Sequence, residues 1–197
     1  MSSNLVIGSS LKEFFKQLVG QVVSRQKVTI AEVTEFYVVN LLSEYATAEK
    51  FFTRLTDGKK DTEPLALLYA RALQQDRDEK IQTLRKLGDV SLYTAGFFRP
   101  ALEDRVVGPK YYEQMGRTAY GAVAELTGHS FAGVYEELCQ KFGALVEVLE
   151  EIAARGLCAQ GPQGQVKVFE AWSRSGNGRL EEVLVDVGLM PKVLLPS

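Results

Sequence analysis

The sequence predicts an all-α protein, and three observations carry that prediction. Apolar residues recur at spacings of three and four through most of the chain, the period of a helix with one buried face. A capping-box spacing, with Ser, Thr or Asp three residues before Glu, occurs at Ser10/Glu13, Thr29/Glu32 and Asp76/Glu79. Strand-like alternation is confined to Gln165-Val166-Lys167-Val168-Phe169. The expected architecture is a compact bundle of seven to nine helices, with a long central helix near 130–155. Residues 1–160 form the bundle core and 161–197 a C-terminal helix pair docked on it, one domain overall.

The first helix is expected from Leu11 to about Ser24, where Leu11, Phe14, Phe15, Leu18 and Val22 make one apolar stripe. Thr29 and Glu32 then cap a second helix reaching about Tyr45, with Val28 and Val33 placed for a hydrophobic staple. That helix is apolar around most of its circumference, which predicts a central position. Ala48 to Leu55 reads as a separate short helix, and Thr56 to Asp61 as a charged turn. Thr62 is placed to cap a helix with Pro64 in its first turn, facing the core through Leu65, Leu68, Tyr69 and Ala72. Asp76 opens a helix to Phe97 or Phe98, ended by Arg99-Pro100 because a residue before proline disfavours helical ψ.

Gly108-Pro109 opens the next helix, which Gly128-His129-Ser130 breaks. Ser130 then caps the longest helix, to about Arg155 and Gly156. Phe131, Tyr135, Leu138, Phe142, Leu145, Leu149 and Ile152 alternate spacings of four and three, a close-packing seam. Glu136, Glu137, Gln140, Lys141, Glu147, Glu150 and Glu151 lie off that seam. Gly161 to Gly164 reads as a flexible linker. From about Gln165 to Ser173 a helix is preferred over a strand, since Val168, Phe169 and Trp172 share a helical face. Arg179 to Val187 is the last helix, stopped by Gly188 and Pro191, and the pair is expected to dock through Val168, Phe169, Trp172 and Leu180.

Composition excludes several classes of function. The chain has 197 residues, of which 46% are apolar and 24% charged, ordinary values for a globular domain. A net charge of −2 gives no pull toward nucleic acid or anionic lipid. The last helix sets Glu181, Glu182 and Asp186 against Arg179, which would repel phosphates. No run is apolar enough to span a membrane, and the first residues lack the pattern of a signal peptide. Two cysteines, Cys139 and Cys158, make no disulfide framework and suit a reducing cytoplasmic setting.

Catalytic chemistry is thinly represented. His129 is the single histidine and sits in a turn, so it reads as exposed or capping. No nucleophile elbow or phosphate loop occurs. Paired zinc ligands and a Glu-x-x-His motif are also missing. No catalytic residue, metal site or cofactor is therefore expected. The unusual features are polar and small residues inside two apolar segments, Leu87–Val123. Gly88, Ser91, Ala95 and Gly96 suggest close approach of a neighbouring helix. Asp89 among Leu87, Val90 and Leu92 needs a partner if buried, and Arg99, Arg105 and Arg117 are the candidates. One reading is an internal Asp–Arg–Tyr network that fixes helix packing. The other is a pocket for a small acidic ligand between the 87–98 and 110–126 helices, lined by Asp89, Arg99, Tyr112, Arg117 and Tyr120.

Three segments, Gly88–Phe98, Tyr111–Tyr120 and Trp172–Pro191, together resemble an uncharacterised family of bacterial helical proteins over most of the chain. The resemblance implies a compact cytoplasmic domain of bacterial origin and carries no activity. The leading expectation is a non-enzymatic protein-interaction or adaptor domain whose partner is another protein or a second copy, as a homodimer. A small-molecule sensor is the alternative. Neither nucleic acid nor membrane is an expected partner.

Overall fold

The computed structural model describes the backbone of residues 2–55, 64–102, 105–128 and 132–190, and the side chains of these outside 2–10 and 47–55. Ten helices and no strand occur among the described residues. In chain order they are α1 (Ser2–Arg25), α2 (Glu32–Leu55), α3 (Leu65–Gln74), α4 (Arg77–Phe97) and α5 (Arg99–Leu102). Then come α6 (Pro109–Thr127), α7 (Ala132–Gln140), α8 (Phe142–Ala159), α9 (Pro162–Ser175) and α10 (Gly178–Asp186). The count differs from the expected seven to nine by one merger and two additions. The second helix continues without a break through 48–55, a single turn follows Phe98, and the expected 130–155 helix divides.

Helix ends show which sequence signals acted. Asp76 caps α4 as expected, its side chain accepting from the Glu79 amide at 3.1 Å. Gly108-Pro109 opens α6 and Gly128, with φ of 68°, closes it. The Ser10/Glu13 pattern lies inside α1, which already begins at Ser2, so it does not mark the helix start. Thr29 does not cap α2 either. The helix starts at Glu32, and the carboxylate of Glu137 accepts the Ala31 amide at 2.9 Å from α7. Lys141 donates to the Thr29 carbonyl beside it. A distant i,i+4 pair thus replaces the local capping box. Val33 turns outward, so the expected Val28–Val33 staple does not form. Phe36 is outward too, at 64% exposed, so α2 is a flanking helix with one buried face.

The expected single long helix is two helices that meet at Lys141, whose φ and ψ are −99° and 14°. Their partners differ: α7 lies on α6, whereas α8 lies on α4, α1 and the C-terminal pair. The apolar seam is still buried through Leu138, Phe142, Leu145, Leu149 and Ile152. Glu150 and Glu151, expected off the seam, are buried as well, because α8 is covered on more than one side. Gly156 lies inside α8 rather than ending it.

Three apolar clusters make the core. The largest joins α1, α2, α4, α6, α7 and α8 around Val22, Leu42, Leu92, Tyr120, Leu138 and Leu149. A second joins α3, α4 and α6 around Leu68, Leu84 and Val123. The third seats α9 and α10 on the end of α8 through Val168, Ala171, Leu180, Val183 and Leu184. The helix preferred over a strand for 165–173 is present as α9, but it begins at Pro162, so the expected 161–164 linker shrinks to Gly161 at φ 103°. Trp172 is half-buried at the margin, and Phe169 faces outward instead of docking the pair. The turn, cap, seam and stop expected at Thr56 to Thr62, His129, Ser130, Phe131 and Pro191 lie outside the described residues.

Small residues set how near α4 comes to its neighbours. A Cβ at Gly96 would lie 2.4 Å from Leu149 Cβ on α8. One at Gly116 on α6 would lie 2.3 Å from the Phe142 ring and 2.9 Å from Ser91. Gly96→Ala is therefore expected to destabilise by about 1–3 kcal/mol through overpacking. Gly156 has open space around its Cβ direction, and Gly156→Ala is expected to stabilise α8 by about 0.5–1 kcal/mol. Urea unfolding of both variants checks the opposite signs.

Candidate functional site

The most concentrated chemistry among the described residues surrounds Asp89. Gly88 makes it possible: the Tyr120 ring of α6 fills the space of the missing side chain, with Cε1 2.5 Å from where a Cβ would stand. That approach brings the Tyr120 hydroxyl to Asp89, where it donates to Oδ1 at 2.8 Å. Tyr37 of α2 donates to the same oxygen at 2.6 Å. Arg85, one turn earlier on α4, sets its Nε 4.0 Å from Oδ2. Tyr135 of α7 completes the group. It hydrogen-bonds with Arg85 and Tyr37, and its ring centroid lies 5.8 Å from that of Tyr37 and 6.1 Å from that of Tyr120.

Burial dominates the electrostatics here. It raises the Asp89 carboxyl above its ordinary 3.8, against the opposing pull of the Tyr37 and Tyr120 hydroxyls and Arg85. Burial, reinforced by Asp89, also pushes Tyr37 and Tyr120 far above the ordinary phenol range. Both phenols therefore stay protonated and donate to Asp89. The cluster can hold a proton, and Oδ1 of Asp89 is engaged by both phenols.

A second buried carboxyl, Glu151 on α8, is satisfied more tightly. Its Oε1 accepts from Arg25 at 2.9 Å and Arg155 at 2.8 Å, and its Oε2 accepts from Gln26 at 2.8 Å. The same two arginines reach Asp186 of α10 at 3.0 and 2.8 Å. Four charges and one amide thus clasp the end of α1, the middle of α8 and the end of α10 (a fixing point the expected apolar docking did not include).

The expected site residues separate. Asp89 and Tyr120 bond each other. Tyr112 packs between the two larger apolar clusters. Arg117 is half-exposed and pairs along its own helix with Glu113 at 3.7 Å. Arg105 is exposed. Arg99 turns toward Glu150, 3.8 Å away, at a cleft of about 450 Å³ against the α9–α10 turn. The arginine beside Asp89 is Arg85, so the candidate partners Arg99, Arg105 and Arg117 are replaced by a residue one helical turn away. The Arg85/Asp89 spacing was a readable signal; Tyr37 and Tyr135 carried none. Among the described residues no three metal-binding side chains cluster, and no helix is long and apolar enough to cross a membrane. No protein-family model matches the chain, and neither a curated protein nor a solved structure matches it.

Substitutions at Asp89 separate its roles. Asp89→Ala strands two phenol hydroxyls, one of them fully buried, and is expected to cost about 3–5 kcal/mol. Asp89→Asn keeps an acceptor oxygen and is expected to cost less than half of that. Because the folded carboxyl titrates above its unfolded value, its favourable share is complete at low pH and is lost as pH rises through the folded value. Wild type is thus expected to lose stability relative to Asp89→Asn across that rise. Denaturation curves at several pH values, with a difference that stays flat or reverses, would contradict this.

Proposed function

We propose that this chain is a non-catalytic interaction protein, and that its partner is a second copy of itself, met through the outer face of α9. The observation behind this reading is the orientation of Val166 and Phe169. They lie one turn apart on α9 and are 55% and 45% exposed, with the Phe169 ring 5.5 Å from that of half-buried Trp172. Aromatic side chains of this kind anchor interfaces once they lose water. Lys167 and Glu170 flank the stripe with opposite charges and are exposed. An antiparallel pairing of two α9 helices about a two-fold axis sets each lysine toward the other copy's glutamate, the self-complementarity a symmetric dimer needs. The internal satisfaction of Asp89 and Glu151 supports an architectural use of the chain's buried charges over a catalytic one. The free thiols of Cys139 and Cys158 fit a reducing, cytoplasmic setting.

Light scattering coupled to size-exclusion chromatography tests the pairing. A dimer is expected at micromolar concentration, and Phe169→Glu is expected to give a folded monomer with unchanged helical circular dichroism. A monomer at all concentrations up to about 100 μM, where association of even ~8 kcal/mol would register, contradicts the proposal.

A further inference from the structure

We infer that the outer stripe of α2 is a second docking face, and that its partner is a basic amphipathic helix of another protein. Val33, Phe36, Asn40 and Glu44 follow one another at spacings of three, four and four, so they form one line along the helix. None of the four is buried, and Val33 and Phe36 are 62% and 64% exposed. A helix that is apolar around most of its circumference belongs under cover on all sides. Within this chain α2 is covered by α1, α4 and α7, and the line through Phe36 is left open to water. An exposed aromatic ring one turn from a branched aliphatic residue is the anchor pair that a helix laid along it buries.

Charge identifies the partner. From Glu32 to Ala46, α2 carries Glu32, Glu35 and Glu44 and no lysine or arginine. Glu32 and Glu44 are exposed and lie on either side of the apolar pair, about 18 Å apart along the axis. The basic groups that reach this helix from its neighbours are already answered. Arg85, which faces Tyr37, pairs with Asp89, and Lys141, which donates to the Thr29 carbonyl ahead of α2, pairs with Glu137. A helix of about three turns, apolar at its centre and with Lys or Arg at both ends, complements the line in shape and sign. A second copy of the chain does not, since two α2 faces paired about a two-fold axis set carboxylates against carboxylates. The stripe belongs to the largest apolar cluster and α9 to the third, so this inference stands independently of the dimer.

Titration of the full chain with two fluorescein-labelled helical peptides tests it, one built of leucine and lysine, the other of leucine and glutamate. Fluorescence anisotropy reads the binding, and amide NMR shifts locate it. The leucine–lysine peptide is expected to bind saturably, at least roughly tenfold tighter than its acidic counterpart, with the largest shifts at residues 32–44. Phe36→Ser and Glu44→Lys, both at exposed positions, are each expected to weaken it roughly tenfold, with circular dichroism and light scattering unchanged. Absence of saturable binding at micromolar concentration overturns the proposal, as does equal binding of the two peptides. Shifts centred away from α2, or folded variants that bind as tightly as wild type, overturn it too. A change of oligomeric state in either variant assigns the face to contact between copies and likewise contradicts it.

Discussion

A carboxyl group that leaves water must be answered by donors inside the protein, and at Asp89 the answer comes from two other helices. Tyr37 and Tyr120 aim their hydroxyls at one oxygen, so α2, α4 and α6 share a single acceptor. That geometry holds only while the helices keep their spacing and rotation. A shift of α6 along α4 would move Tyr120 off both Gly88 and Asp89. The glycine and the aspartate are adjacent in the chain and act as one device: the first admits the ring, the second receives its hydroxyl. Gly96 against Leu149 and Gly116 against Phe142 extend the same close packing toward α8.

The two buried carboxyls, Asp89 and Glu151, each draw on groups from more than one helix. Around Asp89 and Glu151 the donors and acceptors meet within hydrogen-bonding distance. Such groups add little net stability compared with apolar packing, but a mispaired arrangement would leave charge stranded. Their contribution is to select one arrangement of helices that apolar seams alone would permit to slide. Glu151 does for α1 and α10 what Asp89 does for α2 and α6.

Much of the fold was legible because helical periodicity is local. The α4 cap at Asp76, the Gly-Pro start of α6 and the buried seam from Leu138 to Ile152 all follow from residues within a turn or two of each other. The capping of α2 was not legible, since its acceptor, Glu137, lies more than a hundred residues away in the chain. The break at Lys141 was hidden for a similar reason: the seam is continuous, and only the change of packing partners divides the helix. At the candidate site, Asp89 and Tyr120 stood out as polar groups in apolar segments, and the structure joins them. Arg99 and Arg117 carried the right charge, yet pairing depends on which face of which helix they occupy, and those faces look elsewhere. Glu150 and Glu151 were misread because a periodicity locates one buried face and says nothing of a second.

The most direct measurement of this account is proton NMR of the tyrosine hydroxyls. With Asp89 as a shared acceptor, two phenol protons should resolve downfield, exchange slowly with water, and show contacts to α4. Both should disappear together in Asp89→Ala while the Tyr135 signal remains distinct from them. Hydroxyl protons of Tyr37 and Tyr120 that exchange as fast as an exposed tyrosine, or that survive loss of the Asp89 carboxyl, would contradict it.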